Sequence, residues 1–175
     1  PATLRRMMDP SAAPHDDPNA PLSYTFDLKG ERFLVLDAFS TQVEQPQGYL
    51  TEGQLAFLRA ETEADGPPLT VFVHYPPFAM GSPWLDRNMP IANGDALHRA
   101  LLPARARLRG VFGGHLHRPC QTIRDGISYR TAASVAFQYT WHEWDDKPYP
   151  DPDYPPGYAV IRYFDDYVVG MDYTF

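Results

Sequence analysis

The pattern of apolar and polar residues predicts a chain built mainly of strands. The runs at Leu69–Val73 and at residues 108–112 are almost continuously apolar, which is typical of strands buried on both faces of a sheet. Three pairs of strand-like runs each flank a short turn, and each pair predicts a hairpin. These pairs are residues 22–28 with 33–38, 121–124 with 127–131, and 158–164 with 167–173.

Two helices are predicted between these strands. Thr51 and Gln54 have the spacing of a capping box, so the first helix is expected to begin at Thr51 and to end before Gly66. The second is expected to begin at Asn93, with that side chain as its cap, and to run to about residue 102. Three segments have no periodicity and are expected to be loops, the first of them flexible: residues 9–21, 75–92 and 138–156.

Composition and charge narrow the class of protein. The 175 residues fit one domain spanning residues 1–175. No run of 18 apolar residues occurs, so the sequence predicts no membrane-spanning helix. The net charge of -7 argues against binding to a nucleic-acid duplex, which requires clustered Lys and Arg. The single cysteine, Cys120, cannot form an internal disulfide, and this favours a reducing, cytoplasmic location.

Three histidines occupy positions where parallel sheets commonly build sites. His74 directly follows the first buried strand, and His115 and His117 follow the second, after Gly113 and Gly114. Sites in open α/β sheets lie at strand ends, and neutral imidazole is the commonest metal ligand. The sequence therefore predicts a metal site at His74, His115 and His117. The other histidines are expected to be surface residues or satisfied core residues: His15, His98 and His142.

Several other residues are weighed for roles near this site. Trp84 and Asp86 could form the rim of a substrate pocket, or their loop could pack on its own aromatic residues. The Arg118 guanidinium suits phosphate oxygens, with an ordinary salt bridge as the alternative. The aromatic stretch from Tyr139 to Trp144 could cover the site or a partner, or pack beneath its loop. Cys120 is expected to be a buried, inert thiol.

Two segments resemble the last two sequence blocks of the calcineurin-like metallophosphoesterases. They are VFVHYPPF around His74 and GGHLHRP around His115. The flanking segments PPFAMGSPWLD, RPCQTIRDGISYRTAAS and PPGYAVIRY resemble the class III cyclic nucleotide phosphodiesterase branch. The resemblance extends from about residue 22 to residue 169. It implies an α/β fold in which two β-sheets pack as a sandwich flanked by helices, with this chain as the C-terminal half.

The resemblance also implies a site with two divalent metal ions, which are Mn, Fe or Zn. His74 matches the family's lone histidine block and would share one metal with His115, while His117 would bind the other. In the family, a bridging hydroxide attacks phosphorus in line, and the metals clamp the phosphate oxygens. The substrates implied are small phosphodiesters, including cyclic nucleotides.

The family's first three blocks, Asp-x-His, Gly-Asp and Gly-Asn-His-Asp, have no counterpart in the expected order. Gly94-Asp95 follows His74 and is better explained as a helix start. The chain is therefore expected to begin just behind the third block and to lack the bridging carboxylate. Alone it is expected to be inactive, and to form a homo-oligomer or to associate with the missing N-terminal segment. The alternatives are a non-catalytic or regulatory remnant of the fold and a mononuclear three-histidine zinc site.

Overall fold

The computed structural model describes residues 22–175, which contain all three candidate metal histidines. The expected flexible loop at residues 9–21 and His15 lie outside the described residues. The described part holds three helices, α1 Glu52–Glu63, α2 Pro83–Asn88 and α3 Gly94–Leu101, and a 3₁₀ turn at Leu102–Ala104. Its strands are β1 Tyr24–Leu28, β2 Glu31–Leu36, β3 Leu69–Val73, β4 Leu108–Gly113, β5 Cys120–Arg124, β6 Ile127–Thr131, β7 Gln138–Thr140, β8 Tyr149–Asp151, β9 Gly157–Tyr163 and β10 Val168–Thr174.

A six-stranded mixed sheet forms the centre of the molecule, in the order β1-β2-β3-β4-β6-β5. The four inner strands are parallel, and β1 and β5 pair with their neighbours as antiparallel hairpins. Leu36 lies opposite Val73, and Phe72 lies opposite Phe112. This register brings the carboxyl ends of β2, β3 and β4 to the same sheet edge, as the sequence predicted for the two histidine-bearing strands.

One face of this sheet is covered by α1 and α3, whose apolar residues pack on alternate strand positions. The predicted capping box starts α1: Gln54 N–H donates to Thr51 Oγ1 at 3.3 Å, and Thr51 N–H donates to Gln54 Oε1 at 2.9 Å. The shared core includes Leu34, Leu36, Leu55, Leu58, Leu69, Val71, Val73, Leu97, Leu101 and Val111.

The β9–β10 hairpin packs on the opposite face of the sheet. Tyr163 packs edge-on against Phe33 with ring centroids 5.5 Å apart, and Arg109 Nη2 donates to Asp165 O at 2.7 Å. Towards the carboxyl ends of the strands the hairpin and the sheet enclose a cleft of about 460 Å³. His74 lies at this cleft, together with Phe72, Phe112 and Ile161. The predicted α/β fold with flanking helices is confirmed.

The structure departs from the predicted elements at three places. The loop at residues 75–92 contains α2, and the loop at residues 138–156 contains the short antiparallel pair β7 and β8. The Asn93 side chain does not cap α3; it donates to Leu50 O and accepts from Leu50 N–H. It thus ties α3 to the segment before α1. None of the helices in residues 22–175 has the length and apolar character needed to cross a membrane.

Candidate metal centre

The ends of β3 and β4 bring two of the predicted ligands together. His74 follows β3, and Gly114 N–H donates to His74 O at 2.9 Å, which ties the two strand ends. One residue further on, His115 places its Nδ1 3.2 Å from Nε2 of His74. The two rings meet at an interplanar angle of 68°. The structure therefore brings together the pair that the family resemblance assigned to one metal.

The first glycine of the Gly-Gly entry to this turn is required by close packing. A Cβ at Gly113 would lie 2.3 Å from Val73 O, so no larger residue fits there. His115 and His117 then adopt left-handed φ angles of 68° and 52°, which are uncommon for residues other than glycine. Between them Leu116 is buried in a small satellite core. Such backbone strain tends to collect at functional sites.

Two backbone carbonyls fix the tautomers of the closing histidines. His115 Nε2 lies 2.9 Å from Pro46 O, and His117 Nδ1 lies 2.9 Å from Phe137 O. Because a carbonyl oxygen only accepts hydrogen bonds, each of these nitrogens carries the proton. In the neutral rings the lone pairs are therefore on Nδ1 of His115 and on Nε2 of His117.

The electrostatics of the pair favour neutral imidazole. Burial, reinforced by the neighbouring charge of His74, lowers the pKa of His115 to about 4. Burial, followed by the charge of His117, lowers the pKa of His74 as well. Metal binding requires unprotonated imidazole, so both rings are held in the form that ligates.

The donor set fits a divalent cation at the His74–His115 pair. Two imidazole nitrogens that lie 3.2 Å apart could both donate a lone pair to one divalent cation. In the metal-free protein the same spacing lets His74 Nε2–H donate to His115 Nδ1. With or without a metal, the lone pair of His115 Nδ1 therefore points towards His74 Nε2.

Tyr75 holds both rings and was not singled out from the sequence. Its ring centroid lies 4.4 Å from that of His115 and 5.2 Å from that of His74. Gly48 makes room for it, since a Cβ there would lie 2.7 Å from the tyrosine ring. The segment at residues 46–48 therefore supports His115 twice, through Pro46 O and through Tyr75.

The third predicted ligand is near the pair but turned to other partners. His117 is close enough for its charge to lower the pKa of both His74 and His115. Its ring packs edge-on against Phe137 and beside Tyr139, with centroids 4.6 and 5.2 Å away. Within residues 22–175, no group of three or more His, Cys, Asp or Glu side chains is arranged to hold a metal ion. A mononuclear three-histidine site therefore gains no support.

A carboxylate at the same sheet edge was also overlooked. Asp37 follows β2 as His74 follows β3, so the strand-end rule would have found it. Its two oxygens accept hydrogen bonds from Leu22 N–H at 3.2 Å and Phe39 N–H at 3.1 Å. Asp37 therefore closes the turn after β2, and it does not join the histidines in a metal-ligand group.

The two candidate substrate-binding residues have structural contacts. Trp84 is partly buried against the satellite core of Leu85, Met89 and Leu116. The Arg118 guanidinium donates to Tyr139 O and to Asp151 Oδ2, each at 2.5 Å. Roles for Trp84 and Arg118 in substrate binding stay predictions.

The remaining sequence features serve the fold. His98 is a satisfied core residue, and His142 bonds Asp145 at the surface. Gly94-Asp95 starts α3, where a Cβ on Gly94 would lie 1.8 Å from Pro77 O. Each of these outcomes agrees with the sequence-based prediction.

Comparison with known proteins finds two curated relatives that are named as phosphodiesterases. The chain is 34% identical over 140 residues to a probable cyclic nucleotide phosphodiesterase of Rhodopseudomonas palustris, covering 78% of this chain and 50% of the relative. It is 31% identical over 144 residues to glycerophosphodiester phosphodiesterase GpdQ of Enterobacter lignolyticus, covering 81% and 49%. The chain thus spans about half the length of these curated relatives. No family model matches the sequence.

The fold has a counterpart among solved structures. A dimetal phosphatase from Danio rerio superposes with a TM-score of 0.51 at 18% identity, over 65% of this chain and 49% of that one. At this identity the likeness concerns the fold alone. The two sequence relatives show that the chain belongs to the calcineurin-like metallophosphoesterase family, and its fold agrees with this.

Proposed function

We propose that this chain forms the C-terminal part of a binuclear metal-dependent phosphoesterase that hydrolyses phosphodiesters, including cyclic nucleotides. The observation that carries this proposal is the convergence of His74 Nε2 and His115 Nδ1, 3.2 Å apart, at the carboxyl edge of the parallel sheet. Relatives named for phosphodiesterase activity support the substrate class.

The roles of this chain's residues follow from their contacts. His74 and His115 would hold one divalent cation, and His117 Nε2 would face the second. Pro46 O and Phe137 O keep the required tautomers, as outer partners of metal-bound histidines commonly do. Two Mn, Fe or Zn ions at such a site supply charge neutralisation for the phosphoryl oxygens and acidify the attacking water.

The carboxylates of such a centre would come from sequence other than residues 22–175, because those residues hold no complete ligand group. We therefore propose that the chain alone does not turn over substrate. The apolar cleft beside His74 gives a reason to expect either a homo-oligomer or association with an N-terminal segment. We further propose that residues 1–175 belong to one domain and that the protein is cytoplasmic, as its single cysteine favours.

A non-catalytic or regulatory remnant is the alternative, and one observation favours it. The described residues hold no group of three or more side chains arranged to bind a metal, and Asp37 at the same sheet edge is bonded to backbone N–H groups. The coding sequence upstream of Pro1 separates the two proposals. Asp-x-His, Gly-Asp and Gly-Asn-His-Asp in that order would support the enzyme, whereas a start codon directly before Pro1 would favour the remnant.

The activity of the isolated chain can be measured directly. With excess Mn²⁺ it should hydrolyse bis(p-nitrophenyl) phosphate no faster than buffer does, because two metals cannot be placed around one nucleophile without a bridging carboxylate. Clear turnover that His117→Ala abolishes would contradict this expectation. The His142→Ala variant, altered at an exposed histidine, is the matched control.

A further inference from the structure

Three consecutive apolar residues are exposed beside the candidate metal centre. Val135, Ala136 and Phe137 all face solvent, with 66% of Val135 and 46% of Phe137 accessible. Consecutive exposed apolar residues oppose folding and solubility unless they serve a function. Nothing within residues 22–175 covers this segment, so it is open to a ligand or to a further part of the protein.

The loop that carries these residues is firmly held at its base. The buried Gln138 side chain donates to Ser134 O at 2.6 Å and accepts from Ser134 N–H at 3.1 Å. Ser134 Oγ accepts from Ala136 N–H at 3.1 Å, and Gly157 N–H bonds Ser134 O at 2.9 Å. The exposed side chains are thus presented on a preformed turn, which lowers the entropic cost of binding a ligand.

This turn is attached directly to the third candidate ligand. Phe137 O accepts the His117 Nδ1 proton at 2.9 Å, and the Phe137 ring lies 4.6 Å from the His117 ring. Tyr139 lies 5.1 Å from Phe137 at an interplanar angle of 83°. We call Val135, Phe137 and Tyr139 the aromatic shelf. The shelf is apolar except for the Tyr139 hydroxyl, and it borders the place where His117 Nε2 would meet a phosphoester.

We propose that the aromatic shelf binds the planar, apolar organic group of a phosphodiester whose phosphoryl group lies at the histidines. This inference rests on the proposed function. An ester oxygen joins the organic group directly to phosphorus, so that group must lie within a few ångströms of His117. An exposed phenylalanine ring there offers a π-face for stacking. The shelf therefore favours aryl and nucleobase-bearing esters over small alkyl or glycerol esters.

A protein partner is a poorer occupant for a surface of this size. Three side chains expose far less than the roughly 1,000 Å² that a specific protein interface requires. One ring-sized group, in contrast, matches the size of the partly exposed Phe137 ring. The small size of the shelf and its position beside His117 both favour a small planar ligand over a protein partner.

The test compares two esters of the same charge on the full 175-residue chain. Binding of diphenyl phosphate and dimethyl phosphate is measured by ligand-observed NMR for the wild type, Phe137→Ala, Phe137→Leu and Phe164→Ala. Phe164 is the matched control, since it is 44% exposed and lies at the β9–β10 turn. The wild type should prefer the diphenyl ester about tenfold, the size of one stacking contact. Phe137→Ala should remove this preference, Phe137→Leu should keep part of it, and Phe164→Ala should keep all of it.

Equal affinity for the two esters, a preference that survives Phe137→Ala, or no binding of either ester would each overturn the proposal. Self-association of the chain that Phe137→Ala removes would assign the shelf to a second copy and would also overturn it. The ratio does not depend on turnover. If the chain binds metal but does not prefer diphenyl phosphate, the result counts against the shelf alone. If it prefers diphenyl phosphate but does not bind metal, the result counts against the proposed function alone.

Discussion

Two histidine clusters in this molecule use their ring nitrogens in opposite ways. His98 is 1% exposed, and both of its nitrogens have protein partners: Nδ1 lies 2.6 Å from Tyr129 OH and Nε2 lies 2.8 Å from Asp125 Oδ2. At the sheet edge, His74 and His115 point one nitrogen of each ring at the other. In the first cluster both ring nitrogens of the histidine bond other kinds of residue, whereas in the second the two histidines face each other.

The difference extends to the backbone. His98 lies in the regular helix α3, whereas His115 and His117 lie in a left-handed turn after two glycines. Satisfied buried polar groups contribute to stability, because unpaired ones are costly. Strained backbone positions tend to collect at functional sites. The two clusters thus differ in backbone conformation as well as in the partners of their ring nitrogens.

The largest expected difference between the two clusters is in how much a histidine contributes to the free energy of unfolding. His98→Ala should lower the free energy of unfolding by about 3 kcal/mol, because it opens a cavity and leaves the buried Tyr129 hydroxyl without its partner. His115→Ala should cost less than about 1 kcal/mol, in the range of ordinary partly exposed positions. Urea denaturation measures both, with His142→Ala as the exposed control. Equal losses for His98→Ala and His115→Ala would remove the distinction between the clusters.

A second effect concerns metal affinity. The chain should bind Mn²⁺ or Zn²⁺ weakly, since its ligand shell lacks carboxylates, and His74→Ala or His115→Ala should weaken binding at least about tenfold. Tyr129→Phe is the control from the other cluster, because it cuts the bond to His98 and keeps the ring. Isothermal titration calorimetry gives the stoichiometry and the affinity. Two tightly held metals per chain, or equal loss in all three variants, would show that the ligands are assigned wrongly.

Local sequence signals accounted for most of the fold. Strand β3 has the predicted bounds, and α1 begins with the predicted capping box. The turn Asp125-Gly126 joins β5 and β6 as expected. Short elements escaped because their signals are weak: α2 spans six residues, and β7 and β8 span three each. The Asn93 side chain bonds Leu50, which is distant in sequence, and does not cap α3 as its local sequence predicts.

For the candidate site, the sequence predicted only the residues that lie at the ends of strands. His74 directly follows β3, His115 follows β4 after Gly114, and the structure pairs them. Their supports could not be predicted in this way, because Pro46 and Phe137 act through backbone carbonyls, which carry no residue-type signal. Gly48 reaches Tyr75 across 27 residues of chain, a contact that only the tertiary fold defines.

The smallest expected effect is on how the stability of the chain depends on pH at the His74–His115 cluster. Burial and the charge of His74 lower the pKa of His115 to about 4 in the folded chain, against about 6.5 in the unfolded chain. As the pH falls through 6.5 towards 4, the unfolded state takes up a proton at this position and the folded state does not. Stability is therefore lost across this window, and the loss is complete below the folded pKa.

The wild type should accordingly lose about 1 kcal/mol more stability than His115→Gln between about pH 7.5 and pH 5, allowing for the partial exposure of the ring. Gln removes the titrating group, so the difference between the two chains cancels the contributions of all other ionisable residues. Both proteins are kept in chelator, because a bound metal would compete with the proton for Nδ1. Urea unfolding at the two pH values provides the measurement, and His142→Gln is the control at a surface histidine. If the wild type and His115→Gln lose stability in parallel, His115 titrates as an exposed imidazole does, and its contacts with Tyr75 and Pro46 do not shield it.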